Sequence, residues 1–166
     1  MSYPDRRYFG DRGAVLASFR PASTTADLIA PSGDRTSFLA TSSSTGGEYG
    51  LYRVDMQPGS TGPEPHFHRT ISEAFFILSG HVELFDGNRW RSAGIGDFFY
   101  VPVGGLHAFR NASDCPSSMI MVFAPGAAMR EKYFEEMTEM MHLGGDLLRR
   151  FREQHDGYYA DQGTWG

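Results

Sequence analysis

Between Thr36 and Phe123 no single pattern lasts long. Short apolar runs, TSFLATS, YGLYRVDM, AFFIL, VELF, DFFYVP, HAFRN and SSMIMVF, alternate with breakers such as TGG, PGSTGPEP, DGN and PVGG. Runs this short, rich in aromatic and β-branched residues and evenly punctuated, predict antiparallel strands closed into a sandwich or barrel. Asp86-Gly87 predicts a tight hairpin, because both residues tolerate positive φ, so HVELF and NRWRS should pair. Helical spacing starts only after Phe123, where Met129, Tyr133, Phe134, Met137, Met140 and Met141 recur with Arg130, Glu131, Glu135, Glu136 and Glu139 between them. Gly144 and Gly145 supply a stop. Asp146 reads as the N-cap of a second helix, LLRRFREQH, which ends at Gly157.

The chain has 166 residues, 40% of them hydrophobic, enough for one domain with a core. Residues 1–35 read as an arm with few strand signals, 36–124 as the barrel, 125–157 as a helical extension and 158–166 as a tail with no assigned element. A formal net charge of −5 and the lack of any Lys/Arg run argue against nucleic acid as a partner. No segment approaches the eighteen or so apolar residues of a membrane helix, and MSYPDRRYFGDRG is charged where a signal peptide is apolar. A soluble, cytoplasmic protein is the expectation. Cys115 is the only cysteine, so there is no intrachain disulfide and no Cys-rich zinc site.

PHFHRTISEAFFILSG, residues 65–80, carries the chemistry. His66 and His68 leave an extended chain on the same face, about 6 to 7 Å apart along the strand. Glu73 opens an apolar run and shares a face with Phe75 and Ile77. Burying that carboxylate unpaired costs several kcal/mol or more, and a cation held by the two histidines would offset it. His107 is the candidate for a further ligand, since Pro102, Gly104 and Gly105 turn the chain sharply before it. Three imidazoles and a carboxylate suit one divalent transition metal, with Fe, Mn, Ni, Co, Cu and Zn all admissible.

His66-x-His68-x4-Glu73-x6-Gly80 resembles the first cupin motif, and Gly96-x5-Pro102-x-Gly104-x2-His107-x3-Asn111 resembles the second at every signature position. Ser60 stands where the first motif usually opens with Gly, although Gly59 and Gly62 flank it. The resemblance covers roughly residues 36 to 124. It implies an all-β double Greek-key barrel (jelly roll) with C-terminal α-helices, and a metal held inside by His66, His68, Glu73 and His107. A looser similarity of STGGEYGLYRVDMQPG and APGAAMREKYFEEM to quercetinase-type monocupins implies a dioxygenase acting with O2 on a phenolic or enolic aromatic substrate, with Glu73 accepting the substrate's proton.

The same metal site could instead run a cyclisation or isomerisation as a Lewis acid, or the protein could bind a small molecule without turnover. The Met-rich stripe reads as a helix packed on the barrel wall or on a partner chain, with a lid over the barrel mouth as the alternative. Tyr49, Phe75 and Phe109 are candidates for the substrate pocket, with plain core as the simpler reading. Arg53 joins them if it turns inward to an anionic oxygen, and otherwise makes a surface ion pair. His81, His142 and His155 should be exposed. TSFLATS and the Met-rich helix offer apolar surface that a homodimer would cover.

Overall fold

The computed structural model describes residues 3–126 and 129–160. Its strands are β1 (Leu28–Ile29), β2 (Arg35–Ala40), β3 (Gly50–Met56), β4 (His66–Phe67), β5 (Ser72–Ser79), β6 (Val82–Phe85), β7 (Trp90–Ala93), β8 (Phe98–Val101), β9 (Ala108–Arg110), β10 (Ser117–Ala124) and β11 (Tyr158–Tyr159). Two helices, α1 (Arg130–Leu143) and α2 (Gly145–Gln154), precede β11. One sheet runs β1-β2-β3-β10-β5-β8, a second β7-β6-β9, and β11 pairs with β4. All registered pairs are antiparallel. The arrangement is an antiparallel jelly roll with two helices after it.

Alternation along the strands builds the interior. Tyr52, Val54 and Met56 from β3, Phe75 and Ile77 from β5, and Met119, Met121 and Phe123 from β10 point inward and are buried together. Period-two alternation places Glu73 on the same inward face as Phe75 and Ile77. The β6–β7 hairpin forms with Phe85 opposite Trp90. Its centre is Gly87-Asn88 rather than Asp86-Gly87, with Gly87 at φ 87°. Asp86 instead accepts the backbone N–H of Asn88 and Arg89, a local side-chain turn that frees the φ > 0 position for the next residue.

Residues 59–62 make the turn before the histidines. Gly62 sits at φ 59°, and a Cβ there would come within 1.9 Å of the Phe109 carbonyl oxygen, so the close approach needs glycine. Asn111 ties this loop to its neighbours. Fully buried, it donates through Nδ2 to the carbonyls of Gln57 (3.0 Å) and Cys115 (2.8 Å) and accepts from Ser113 N–H and Oγ.

The helices break one residue from where the glycines suggest. Gly144 caps α1, but Gly145 already begins α2, so Asp146 lies in the first turn of α2 and pairs with Arg149 instead of capping. The tail is a strand as far as Tyr159, and its part beyond 160 lies outside the described residues. Among the described residues no helix is long and apolar enough to cross a membrane.

Two expectations follow from this packing. Asn111→Ala removes four hydrogen bonds in a buried setting and should destabilise the fold by roughly 2–4 kcal/mol; an unchanged urea midpoint would contradict the assigned role. The outward side chains Phe76, Leu78, Phe98 and Tyr100 leave an apolar face on β5 and β8, with Phe76 directly opposite Phe98. We propose that a second copy of the chain covers this face rather than TSFLATS and the Met-rich helix, the surfaces expected from sequence, because β2 is largely half-buried and α1 turns Tyr133, Phe134 and Met137 toward a cavity. Light scattering at micromolar concentration should give twice 18.5 kDa, and the mass of one chain would exclude the homodimer.

Candidate metal centre

His66 begins β4 and His107 immediately precedes β9, and the two residues face each other across the strands. Their backbones exchange both N–H···O bonds, at 2.9 Å each. This reciprocal pair puts the two imidazoles on one face, ring centroids 4.3 Å apart. His68, one residue past β4, returns to the same side with its ring 5.1 Å from His66. Glu73 enters from the opposite sheet. The four residues are buried, and their potential ligand atoms all lie within 4.8 Å of one another.

The outer ring nitrogens are already committed. Nδ1 of His66 meets the Glu64 carbonyl at 2.9 Å, Nδ1 of His68 the Asp156 carbonyl at 2.5 Å, and Nδ1 of His107 the Gly105 carbonyl at 3.0 Å. A carbonyl only accepts, so each Nδ1 carries the hydrogen, and Nε2 is the nitrogen left to offer a lone pair inward to a metal. Backbone carbonyls that fix the tautomer in this way are the usual outer support of metal-binding histidines.

Inside, His68 Nε2 and His107 Nε2 lie 2.5 and 3.2 Å from Glu73 Oε1. None of these three atoms makes an aligned hydrogen bond, although all are buried. Short distances without donor geometry mark lone pairs converging on one point, where a cation would satisfy them all. The electrostatics agree. Burial opposes the Glu73 charge, but contacts with His107 and His68 outweigh it and hold the carboxyl below its ordinary range. Burial, then the neighbouring His107, pushes His66 well below the ordinary imidazole value. For His107 burial is outweighed by Glu73, which raises it. The cluster thus fits a divalent metal held by three nitrogens and one oxygen.

A cavity of about 570 Å³ opens onto the cluster through His66 and Glu73. Its walls include Phe109, Met121 and Phe123 from the barrel and Tyr133, Phe134, Met137 and Met141 from α1. Part of the Met-rich stripe therefore faces a cavity at the barrel mouth, while Phe134 also packs on the barrel core against Phe38, Tyr52 and Phe123. The substrate-pocket candidates divide. Phe109 lines the cavity, while Phe75 is buried beneath it against Phe99 and Phe109. Tyr49 is exposed and away from the lining. Arg53 stays on the outer face, where both Nε and an Nη reach Asp55 Oδ1 at 2.9 and 2.7 Å. Alternation explains this, since Arg53 lies between the inward residues Tyr52 and Val54. His81 and His142 are exposed, but His155 is partly buried against Phe151 at a ring separation of 4.7 Å.

The C-terminal residues bear on the site more than their sequence suggests. Asp156 takes φ 59° at the end of α2. There its carbonyl holds His68, while its carboxylate accepts from the backbone N–H of Arg69 and Thr70. Tyr159 stacks on His66 at 5.0 Å. Arg130 and Arg152 also line the cavity. Arg130 stands within the apolar stripe as one of its charges, and that position is the only sequence signal any of the four gives.

Residues 52–123 match the Cupin domain model. The germin-like protein subfamily 2 member 1 of Arabidopsis thaliana is 36% identical over 78 residues, which are 44% of this chain and 35% of that protein. The chain thus spans about a third of the length of that relative. Among solved structures, a predicted oxalate decarboxylase from Thermotoga maritima superposes with a TM-score of 0.59 at 18% identity, over 66% of this chain and 99% of its own. The polyketide cyclase RemF from Streptomyces resistomycificus gives 0.56 at 17%, over 66% and 80%. These structural likenesses speak for the fold.

One bound metal per chain is expected. His66→Ala combined with His107→Ala should abolish stoichiometric metal in elemental analysis of protein purified without chelator. Wild-type metal content in that double variant would overturn the ligand assignment.

Proposed function

We propose that this protein is a cupin and a metal-dependent enzyme acting on a phenolic or enolic aromatic compound, with O2 as co-substrate as in quercetinase-type cupins. The observation that carries the reading is the apolar, aromatic cavity of about 570 Å³ that meets the four-ligand cluster at His66 and Glu73. Its volume falls in the range of small-molecule sites. When bound, a first-row metal supplies Lewis acidity and, if redox-active, a means of bringing O2 and an electron-rich substrate together.

The protein's part is positioning and proton transfer. The carbonyls of Glu64, Asp156 and Gly105 hold the imidazoles in one tautomer. Phe109, Phe123, Phe134 and Met137 exclude water from an aromatic ring lying between the barrel and α1. Glu73 belongs both to the cluster and to the cavity wall, so it can take the proton from the substrate's hydroxyl while remaining in the ligand set. In a dioxygenase cleavage both oxygen atoms enter the substrate, whose enolate supplies the electrons, and no separate reductant is required.

Glu73→Gln tests the proton role on metal-reconstituted protein. If Glu73 only balances charge, activity should fall in proportion to metal occupancy. As a general base its loss should lower turnover per bound metal by a further ~10²- to 10⁴-fold. Near wild-type turnover per metal would remove the base role. O2 consumption by the wild type with a flavonol or a related enol is the companion measurement; its absence across enolic substrates, with metal present, would move the assignment to a Lewis-acid cyclase or isomerase.

A further inference from the structure

Arg130 is out of place by the rules that govern the rest of the cavity. It is the first residue of α1, only 3% exposed, and surrounded by the rings of Phe123 (4.8 Å), Tyr133 (4.2 Å) and Phe134 (5.7 Å). A guanidinium stays charged at any pH the fold survives, so it cannot escape burial by losing its proton. Among the described residues its one hydrogen bond runs from Nη1 to the His155 carbonyl at 2.7 Å, and its Nε is buried without a partner. Among the described residues no carboxylate pairs with it. The adjacent Glu131 is turned away, accepting from Tyr52 Oη at 2.6 Å and from the Ser42 N–H at 3.1 Å. Contact with three rings offsets part of the desolvation cost, but a buried guanidinium short of an anion remains an open half of a pair.

Arg152 repeats the pattern in the same cavity lining. It lies over the Tyr159 ring at 3.7 Å, its Nε is likewise buried without a partner, and its Nη1 reaches Glu64 only at 3.5 Å. The charged side chains lining the cavity, apart from the histidine, are Glu64, Glu73, Arg130 and Arg152. Once Glu73 is engaged with a divalent cation and Arg152 is set against Glu64, the wall is left net positive, with Arg130 the uncompensated centre. Planar guanidinium donors against a carboxylate make the strongest pairing available to a neutral-pH ligand.

We propose that the cavity recognises an aromatic carboxylate, whose carboxyl group pairs with Arg130 while its ring lies among Phe109, Phe134 and Met137. The proposal rests on the reading of this cavity as the substrate chamber and narrows the substrate class to organic anions. It also orders the ligand. The carboxylate is held by α1, and the opposite end of the molecule faces His66 and Glu73.

Cinnamate and its neutral isostere cinnamamide test this by calorimetry, on metal-free and on zinc-loaded protein. Cinnamate should bind at least about tenfold more tightly than cinnamamide in both forms. Arg130→Met should erase that preference while retaining cinnamamide binding, and Arg130→Lys, which keeps the charge should the neutral variant fail to fold, should retain part of it. Equal affinities for the two compounds, no binding of cinnamate, or a preference that survives Arg130→Met would overturn the proposal. So would a preference seen only with zinc, because the carboxylate would then sit on the metal. These are binding measurements, so acid selectivity without any turnover would sink the enzymatic reading and leave this one standing; turnover of enols without acid selectivity would do the reverse.

Discussion

The carboxylate of Glu73 is the constraint around which the barrel is arranged. It sits inward on a strand whose other inward residues, Phe75 and Ile77, are core, and burying such a charge unpaired would cost as much as a sizeable fraction of a domain's net stability. The chain answers with three imidazoles brought in from the facing side. Backbone carbonyls from three separate places, residues 64, 105 and 156, take the Nδ1 hydrogens of those imidazoles and leave their Nε2 atoms facing inward. A site built this way is poorly satisfied by its own atoms and well satisfied by a cation, which couples metal binding to the integrity of the loops that supply the carbonyls.

That coupling reaches the end of the described chain. The His68 ring is oriented by a residue 88 positions away, and Asp156 can present its carbonyl there only because it leaves α2 in the left-handed region. A non-glycine residue at positive φ is uncommon, and Asp is among the few that tolerate it. The same residue's carboxylate then accepts the N–H groups of Arg69 and Thr70, so one side chain and one carbonyl dock the C-terminal helix onto the loop that carries His68. The pairing of β11 with β4 continues the docking, and Tyr159 closes over His66. The helices are therefore a part of the site, attached at the point where the ligands are displayed.

Period and punctuation make the barrel legible. The alternation in YGLYRVDM and EAFFIL correctly separates inward from outward side chains, and by itself it puts Glu73 inside with Phe75 and Ile77. Three members of the ligand set are legible because His66, His68 and Glu73 lie within eight residues of one another, on β4, just past it and on β5. What the sequence hides is anything fixed by contacts distant along the chain. Asp156 and Tyr159 lie in a stretch without periodicity, and only the docked tail gives them a function. Arg53 shows the opposite failure. Its charge draws notice, yet strict alternation between Tyr52 and Val54 already assigns it to the outer face, where Asp55 holds it.

The Met-rich helix is where sequence and structure part for the most instructive reason. An apolar stripe says that one face leaves water, and it is silent on whether protein or ligand lies opposite. Packing against the barrel wall and roofing a cavity leave the same periodicity in Met129 to Met141. The discriminating residue is the charged one. A helix that merely packs on a wall has little use for a buried arginine in its first turn, because ring contacts there would offset only part of the charge. Arg130 lies among Phe123, Tyr133 and Phe134 with no carboxylate of the described residues paired to it, which makes sense for a face that meets something other than protein. The buried, incompletely paired charge thus argues twice in this fold: Glu73 for a cation in the barrel, and Arg130 for an anion beneath the helix.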